Sequence, residues 1–259
     1  MIAKHFEWNE AEKQRAVDLL LHHGKMIVSP TKVGYVIMTT DASGLQRKFF
    51  AKQRNLNKPG VVLCCSLEQL RMLAEVNEEI EALYEMAWNQ DILLGCILPW
   101  KETGKRHVPA DGSEAMMMDR RGTSCFVIRF GAPSELIAHE LWNGHGKLAF
   151  ASSANPSGKG NSGRINGIGE RIRDEADLVI AADDYVRSIQ PGASEKTRYE
   201  QGVMVSMVDS SGKLIPEQNR QRSVQPGPVV IRKGLDVNRV MSMLSDVFPS
   251  WDYRDGNYY

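Results

Sequence analysis

Short runs of consecutive apolar residues recur along this chain, and stretches of helical spacing separate them. The clearest runs are 26–28, 60–65, 92–98, 124–130, 148–152, 203–208 and 229–232. Runs of this length, closed by Gly, Pro, Ser or Asn, read as strands buried in a sheet. Asn9-Glu10-Ala11-Glu12 is a capping box. Val17, Leu20 and Leu21 follow as an apolar stripe, and Gly24 stops the helix. Ser66-Leu67-Glu68-Gln69 is a second capping box, and Pro133 suits the first turn of a helix reaching Trp142. Further helices are predicted from Asp41 or Ser43 to about Asn55, at 77–88, 168–175 and 237–247, with strands at 34–38 and 178–181. The strand at 26–28 is predicted to stop at Ser29-Pro30-Thr31, and 101–121 and 183–200 to be irregular. Met116, Met117 and Met118 within the first of these stretches fit gap-filling core better than a soft lid. Asp209-Ser210-Ser211-Gly212 marks a late hairpin. At 259 residues the length permits one large domain or two small ones, but no repeat or low-complexity linker divides the chain. The expectation is one α/β domain built on a mixed β-sheet with flanking helices.

One of these runs breaks abruptly. Ala149-Phe150-Ala151 leads into Ser152-Ser153-Ala154-Asn155-Pro156-Ser157-Gly158-Lys159-Gly160-Asn161-Ser162-Gly163-Arg164. Glycine lets backbone approach a ligand, and successive N–H groups can form an anion-binding nest. Ser152, Ser153, Asn155 and Ser157 add short donors, while Lys159 and Arg164 add positive charge. At the carboxyl end of a strand this reads as a phosphate-binding loop. The same composition also describes a flexible polar loop.

The helix beginning near residue 42 is the second candidate. Between Ala42 and Leu67 stand Arg47, Lys48, Lys52, Arg54 and Lys58 with no acid among them. Lys48 and Lys52 share one face at four-residue spacing, where like charges repel and a bound anion would reverse the penalty. A solvated basic face is the plainer account. Since 32 basic side chains balance 32 acidic ones, any anion site must come from such local clustering. Cys64, Cys65, Cys96 and Cys125 lie in apolar runs without metal-ligand spacing, so they read as reduced, buried residues of a cytoplasmic protein. None of the six histidines forms an HExxH pattern, no structural metal is expected, and no run reaches membrane-spanning length.

Taken in order, three stretches resemble the YrdC/YciO-like family, whose best-known members are threonylcarbamoyl-AMP synthases. They are Pro30-Thr31 with Tyr35, then Lys52-Gln53-Arg54 with Lys58-Pro59, then Ser152 to Gly158. Val127-Ile128-Arg129 followed by Pro133, and Ile231-Arg232-Lys233-Gly234, are similar to two further family elements. The likeness covers roughly residues 10–235. It implies a YrdC-like domain over 1–235, with a twisted sheet and a basic concave groove, and leaves 236–259 as a C-terminal helix and aromatic tail.

It also implies a reaction. ATP, bicarbonate and L-threonine give threonylcarbamoyl-AMP and pyrophosphate, with Mg²⁺, and the product serves tRNA modification. Lys52, Arg54 and Lys58 would neutralise phosphates and carboxylate, with Lys52, Arg54 and Thr31 as the catalytic set. Ser153, Asn155, Ser157, Arg129 and Arg232 would join Lys58 around the nucleotide, and Thr31 and Tyr35 would bind the acceptor. The expected partners are ATP, bicarbonate and a small amino-acid-like acceptor, with tRNA or another RNA beyond them and no membrane.

The chain departs from the family pattern where the acceptor would sit. Pro-Thr-Asp/Glu-Thr becomes Pro30-Thr31-Lys32-Val33, the Gly after the tyrosine is Val36, and Gln201-Gly202-Val203 replaces Ser-Thr-Val/Ile. Trp88-Asn89-Gln90-Asp91 stands near the place of a Trp-Pro-Gly-Pro element. Lys32 in place of an acid would favour an anionic acceptor over threonine. These losses leave a second reading open, a non-catalytic nucleotide- or RNA-binding member.

Overall fold

Side-chain oxygens set the starts of the early helices. The computed structural model describes residues 5–53, 60–156, 161–194 and 199–252. A short strand β1 (His5–Glu7) precedes α1 (Glu10–Leu21), where the Asn9 carboxamide oxygen accepts from the Glu12 N–H at 3.0 Å. The hairpin of β2 (Ile27–Thr31) and β3 (Gly34–Thr39) leads to α2 (Ala42–Lys52), capped by Asp41, which accepts from Gly44 at 2.7 Å. Next come β4 (Val61–Leu63), α3 (Leu67–Leu73) capped by Ser66, and α4 (Glu78–Asn89) capped by Asn77. The middle of the chain holds β5 (Leu94–Pro99), α5 (Glu102–Lys105), α6 (Ser113–Met117), β6 (Thr123–Ile128), α7 (Ala132–His145) and β7 (Ala149–Ser153). A 3₁₀ turn (Ile165–Ile168) precedes α8 (Glu170–Glu175), β8 (Leu178–Ala181), α9 (Asp183–Ile189), β9 (Val203–Ser206), β10 (Val229–Arg232) and α10 (Val237–Val247).

The strands form one mixed, twisted sheet in the order β1-β8-β2-β3-β7-β4-β6-β5-β9-β10. Four pairs are parallel (β1 with β8, β2 with β8, β4 with β6, β5 with β9) and the rest are antiparallel. Side chains alternate across the two faces. One face buries Val62, Phe126, Phe150, Leu94 and Val205 against α3, α4 and α10. Its other half buries Val28, Ile37 and Val179 with Ala51 of α2 and Ile172 of α8. On the opposite face α1 and α7 lay Val17, Leu20, Ile137 and Leu141 over Ile27, Met38 and Ile180. Those two helices pack mainly on the β8-β2-β3 side and touch β7, and among the described residues no helix lies over β4, β6 and β9 on this face.

Three expectations are corrected. Strand β2 runs on through Ser29-Pro30-Thr31, because β8 pairs only with Ile27 and Val28 and no neighbour on that side needs an N–H from Pro30. The stretch 101–121 contains α5 and α6, and 183–200 contains α9. None of these short helices has a side-chain cap, and α9 buries only Val186, so the sequence carried no periodic signal. Strand β1 is a three-residue edge element with little apolar character. Met117 is fully buried in the core, as expected. Residues 236–252 belong to the same body, since Val240, Met243, Leu244 and Trp251 pack with Leu83 and Tyr84 of α4. No helix of the described residues is long and apolar enough to cross a membrane.

Candidate functional site

The open half of the sheet is the floor of a pocket of about 720 Å³, counting its mouth. Residues at i and i+2 supply that floor: Val61 and Leu63 of β4, Cys125 and Val127 of β6, Ala151 of β7 and Met204 of β9. Polar groups form the rim: Thr31, Ser153, Asn155, Asn161, Gln201 and Arg232. No described residue of the lining is an acid. Burial pushes the Cys125 thiol up to about 12 despite the opposing pull of Arg232, so it lies in the floor as a neutral, apolar group.

The structure brings together most of the described candidates. The last residues of α2 place Lys52 behind the end of β7, where its ammonium is buried and donates to the Ser153 carbonyl, with the Ser153 hydroxyl at 3.2 Å. Ser153 and Asn155 follow directly on β7 at the pocket mouth. Arg232 ends β10, and its Nε donates to the Gly202 carbonyl at 2.8 Å, which holds that arginine along the rim. Thr31 closes β2 beneath the two-residue turn Lys32-Val33. Its hydroxyl donates to the Gly34 carbonyl at 2.8 Å.

Lys52 stands behind Ser153 and is not itself among the lining residues, and two further candidates sit differently. Tyr35 touches the pocket, but its hydroxyl donates to Asp183 at 2.5 Å and accepts from the Ala182 N–H at 3.0 Å. Burial first, and then Asp183, push that phenol far above its ordinary value, so it stays protonated. Arg129 lies outside the pocket lining. It takes a left-handed φ of 51°, stacks its guanidinium 3.8 Å from the Trp88 ring and donates to the Trp88 carbonyl at 3.0 Å, closing the end of α4. Arg54, Lys58 and Ser157 lie outside the described residues, as does the aromatic tail beyond residue 252.

The charge expected of Lys32 does not reach the pocket. Its ammonium is buried against Asp91, donating to that residue's carbonyl at 2.6 Å and pairing with its carboxylate at 2.7 Å. Lys32 is thus the neutralised anchor of the turn and supplies no reason to prefer an anionic acceptor. Sequence reasoning missed Asn161, Gln201 and Gly202 as rim residues. Asn161 lay unremarked within the glycine-rich stretch, and Gln201-Gly202 stood out only as a departure. Among the described residues no three of His, Cys, Asp or Glu gather as a metal site.

A family profile labelled Sua5_yciO_yrdC, with the description "Telomere recombination", matches residues 19–191. A threonylcarbamoyl-AMP synthase of Pyrococcus abyssi is 27% identical over 177 residues, 67% of this chain and 46% of that protein. The chain therefore spans about half the length of this curated relative. The crystal structure of a hypothetical protein, smu.1377c from Streptococcus mutans UA159, matches with a TM-score of 0.91 and 55% identity over 100% of both chains. The Sua5 protein of P. abyssi complexed with L-threonine matches with a TM-score of 0.64 and 21% identity, over 100% of this chain and 68% of that one; this likeness is one of fold.

Proposed function

This chain belongs to the Sua5–YciO–YrdC family, and on that premise we propose that it is an ATP-using carbamoyl-adenylate synthase. One observation carries the reading. A buried ammonium, Lys52, is seated at the end of β7 beside a pocket whose described lining holds an arginine and no acid. Such a site suits polyanions and offers no general base.

The chemistry asks for little more. The amine of the acceptor attacks activated bicarbonate, water is lost, and the carbamate carboxylate attacks the α-phosphorus of ATP as pyrophosphate leaves. Orientation and charge neutralisation carry such a reaction. Lys52 and Arg232, with Arg54 and Lys58, neutralise phosphates and carboxylate. Ser153 and Asn155, with Ser157, hold the nucleotide, and Thr31 borders the acceptor. Arg129 acts from outside the pocket, by fixing the α4 end. Mg²⁺, brought with ATP, would supply further charge neutralisation at the phosphates. The relative complexed with L-threonine supports a small amino acid as acceptor. Delivery to tRNA belongs to the same proposal.

The test is pyrophosphate release from ATP and bicarbonate with threonine, serine, glycine and aspartate in turn. Turnover with one of them is expected, and Lys52→Ala should weaken ATP binding by about 1.5–3 kcal/mol, the range for charge-assisted hydrogen bonds. ATP binding without turnover of any acceptor would leave the non-catalytic reading. That reading draws support from Val33, which puts a methyl where the family carries a hydroxyl. Unchanged ATP affinity in Lys52→Ala would remove the phosphate role altogether.

A further inference from the structure

We propose that Asn161 is the positioning residue that sets the width of the acceptor end of the pocket; the inference rests on the synthase reading above. The pocket wall around Thr31 is assembled from three separate segments: the Lys32-Val33 turn, the stretch after β7, and residues 199–202 ahead of β9. No described strand pairing joins the turn to the other two. The Asn161 side chain does. Its amide nitrogen donates to the Val33 carbonyl and to the Glu200 carbonyl at 3.2 Å, and its oxygen accepts from the Gly163 N–H at 3.1 Å. One carboxamide thus uses both donors and its acceptor on three stretches of backbone, and the same residue lines the pocket.

Two further features fit this role. Gly34 has a φ of +107°, and a Cβ there would stand 2.7 Å from Asn161 Oδ1, so only glycine lets the carboxamide in. Gln190 ties the same segments a second time. It donates to the Lys32 carbonyl at 3.0 Å and accepts from the Glu200 N–H at 2.9 Å. The two amides fix the turn against residues 199–202 from either side, and Asn161 is the one that faces the pocket. Aspartate there would keep the acceptor but lose both donors, leaving a carboxylate against two carbonyl oxygens.

The variants Asn161→Ala, Asn161→Asp and Gly34→Ala test this against the wild type. Pyrophosphate release should show the KM for the amino acid raised about tenfold in each, with KM for ATP near wild type, while the melting temperature falls most in Gly34→Ala, where alanine is strained at a φ of +107°. Equal KM shifts for both substrates, or none, would overturn the role. Should the wild type turn over no acceptor, the synthase reading fails by itself. Hydrogen exchange then judges the clamp: faster exchange across residues 32–36 in Asn161→Ala supports it, and unchanged exchange sinks it.

Discussion

Lys32 shows how much one partner decides. In the sequence it is a positive charge replacing an acid at the acceptor turn. In the fold it is a buried ammonium whose charge is met by Asp91, a residue with a left-handed φ of 54° at the end of α4. The pair is half exposed, since the Asp91 side chain is open to solvent, so screening limits its worth. Asp91→Asn should lower stability by about 1–2 kcal/mol, because the buried ammonium keeps the Asp91 carbonyl but loses the carboxylate. Urea unfolding at low and high salt measures it, and a loss as large at high salt as at low would contradict the ionic part. That Thr31, Ser153, Asn155 and Arg232 would lie along one pocket, with Lys52 beside it, was legible because each stands at or just past the end of a strand or helix that its own apolar pattern delimits. The roles of Lys32, Tyr35 and Arg129 were not legible. Their partners Asp91, Asp183 and Trp88 are far away in sequence, and no local spacing announces them.

At the scale of elements, helix α2 is the instructive case. Its run of basic residues without an acid reads as an anion-facing surface, yet Arg47 spends its guanidinium on structure. It donates to Asp177 at 2.7 Å, to the Gly24 carbonyl at 2.7 Å and to the Glu175 carbonyl. Asp177 also accepts from Lys25 and from the Met26 N–H, each at 3.0 Å, so it fastens α2 to the starts of β2 and β8. Burial alone would raise the Asp177 carboxyl, but Met26, Arg47 and Lys25 together hold it below its ordinary value of 3.8. A lowered carboxyl stabilises the fold above about pH 4, and that contribution is lost as pH falls through the lower folded value. Asp177→Asn should therefore cost about 1.5–3 kcal/mol at pH 7 and flatten the acid limb of the stability profile. Denaturant titrations from pH 7 to pH 2 measure both, and parallel acid limbs in variant and wild type would refute the assignment. Caps at Asn9, Asp41 and Ser66 made helix starts readable, whereas α5, α6 and α9 are held by tertiary packing and had no such mark.

Among the described residues, helices cover one face of the sheet and about half of the other, and the pocket lies over the remaining strands. This partition has a consequence within a single strand. Val61 and Val62 are adjacent in β4, have the same side chain and point to opposite faces. Val61 lines the pocket and is partly exposed, while Val62 is fully buried with Phe126 and Phe150. Val61→Phe should project into open space, leaving stability within about 1 kcal/mol of wild type. The same ring should fill the pocket and remove ATP or acceptor binding. Val62→Phe adds the same atoms to a packed interior, where overpacking costs about 1–3 kcal/mol or more. Binding should survive in whatever fraction remains folded. Urea unfolding and calorimetric ATP titration on the two variants give a crossed result if the faces are assigned correctly, with stability lost in one and binding in the other. A Val61→Phe protein that unfolds early and binds ATP normally would mean that the open half of the sheet is not the site.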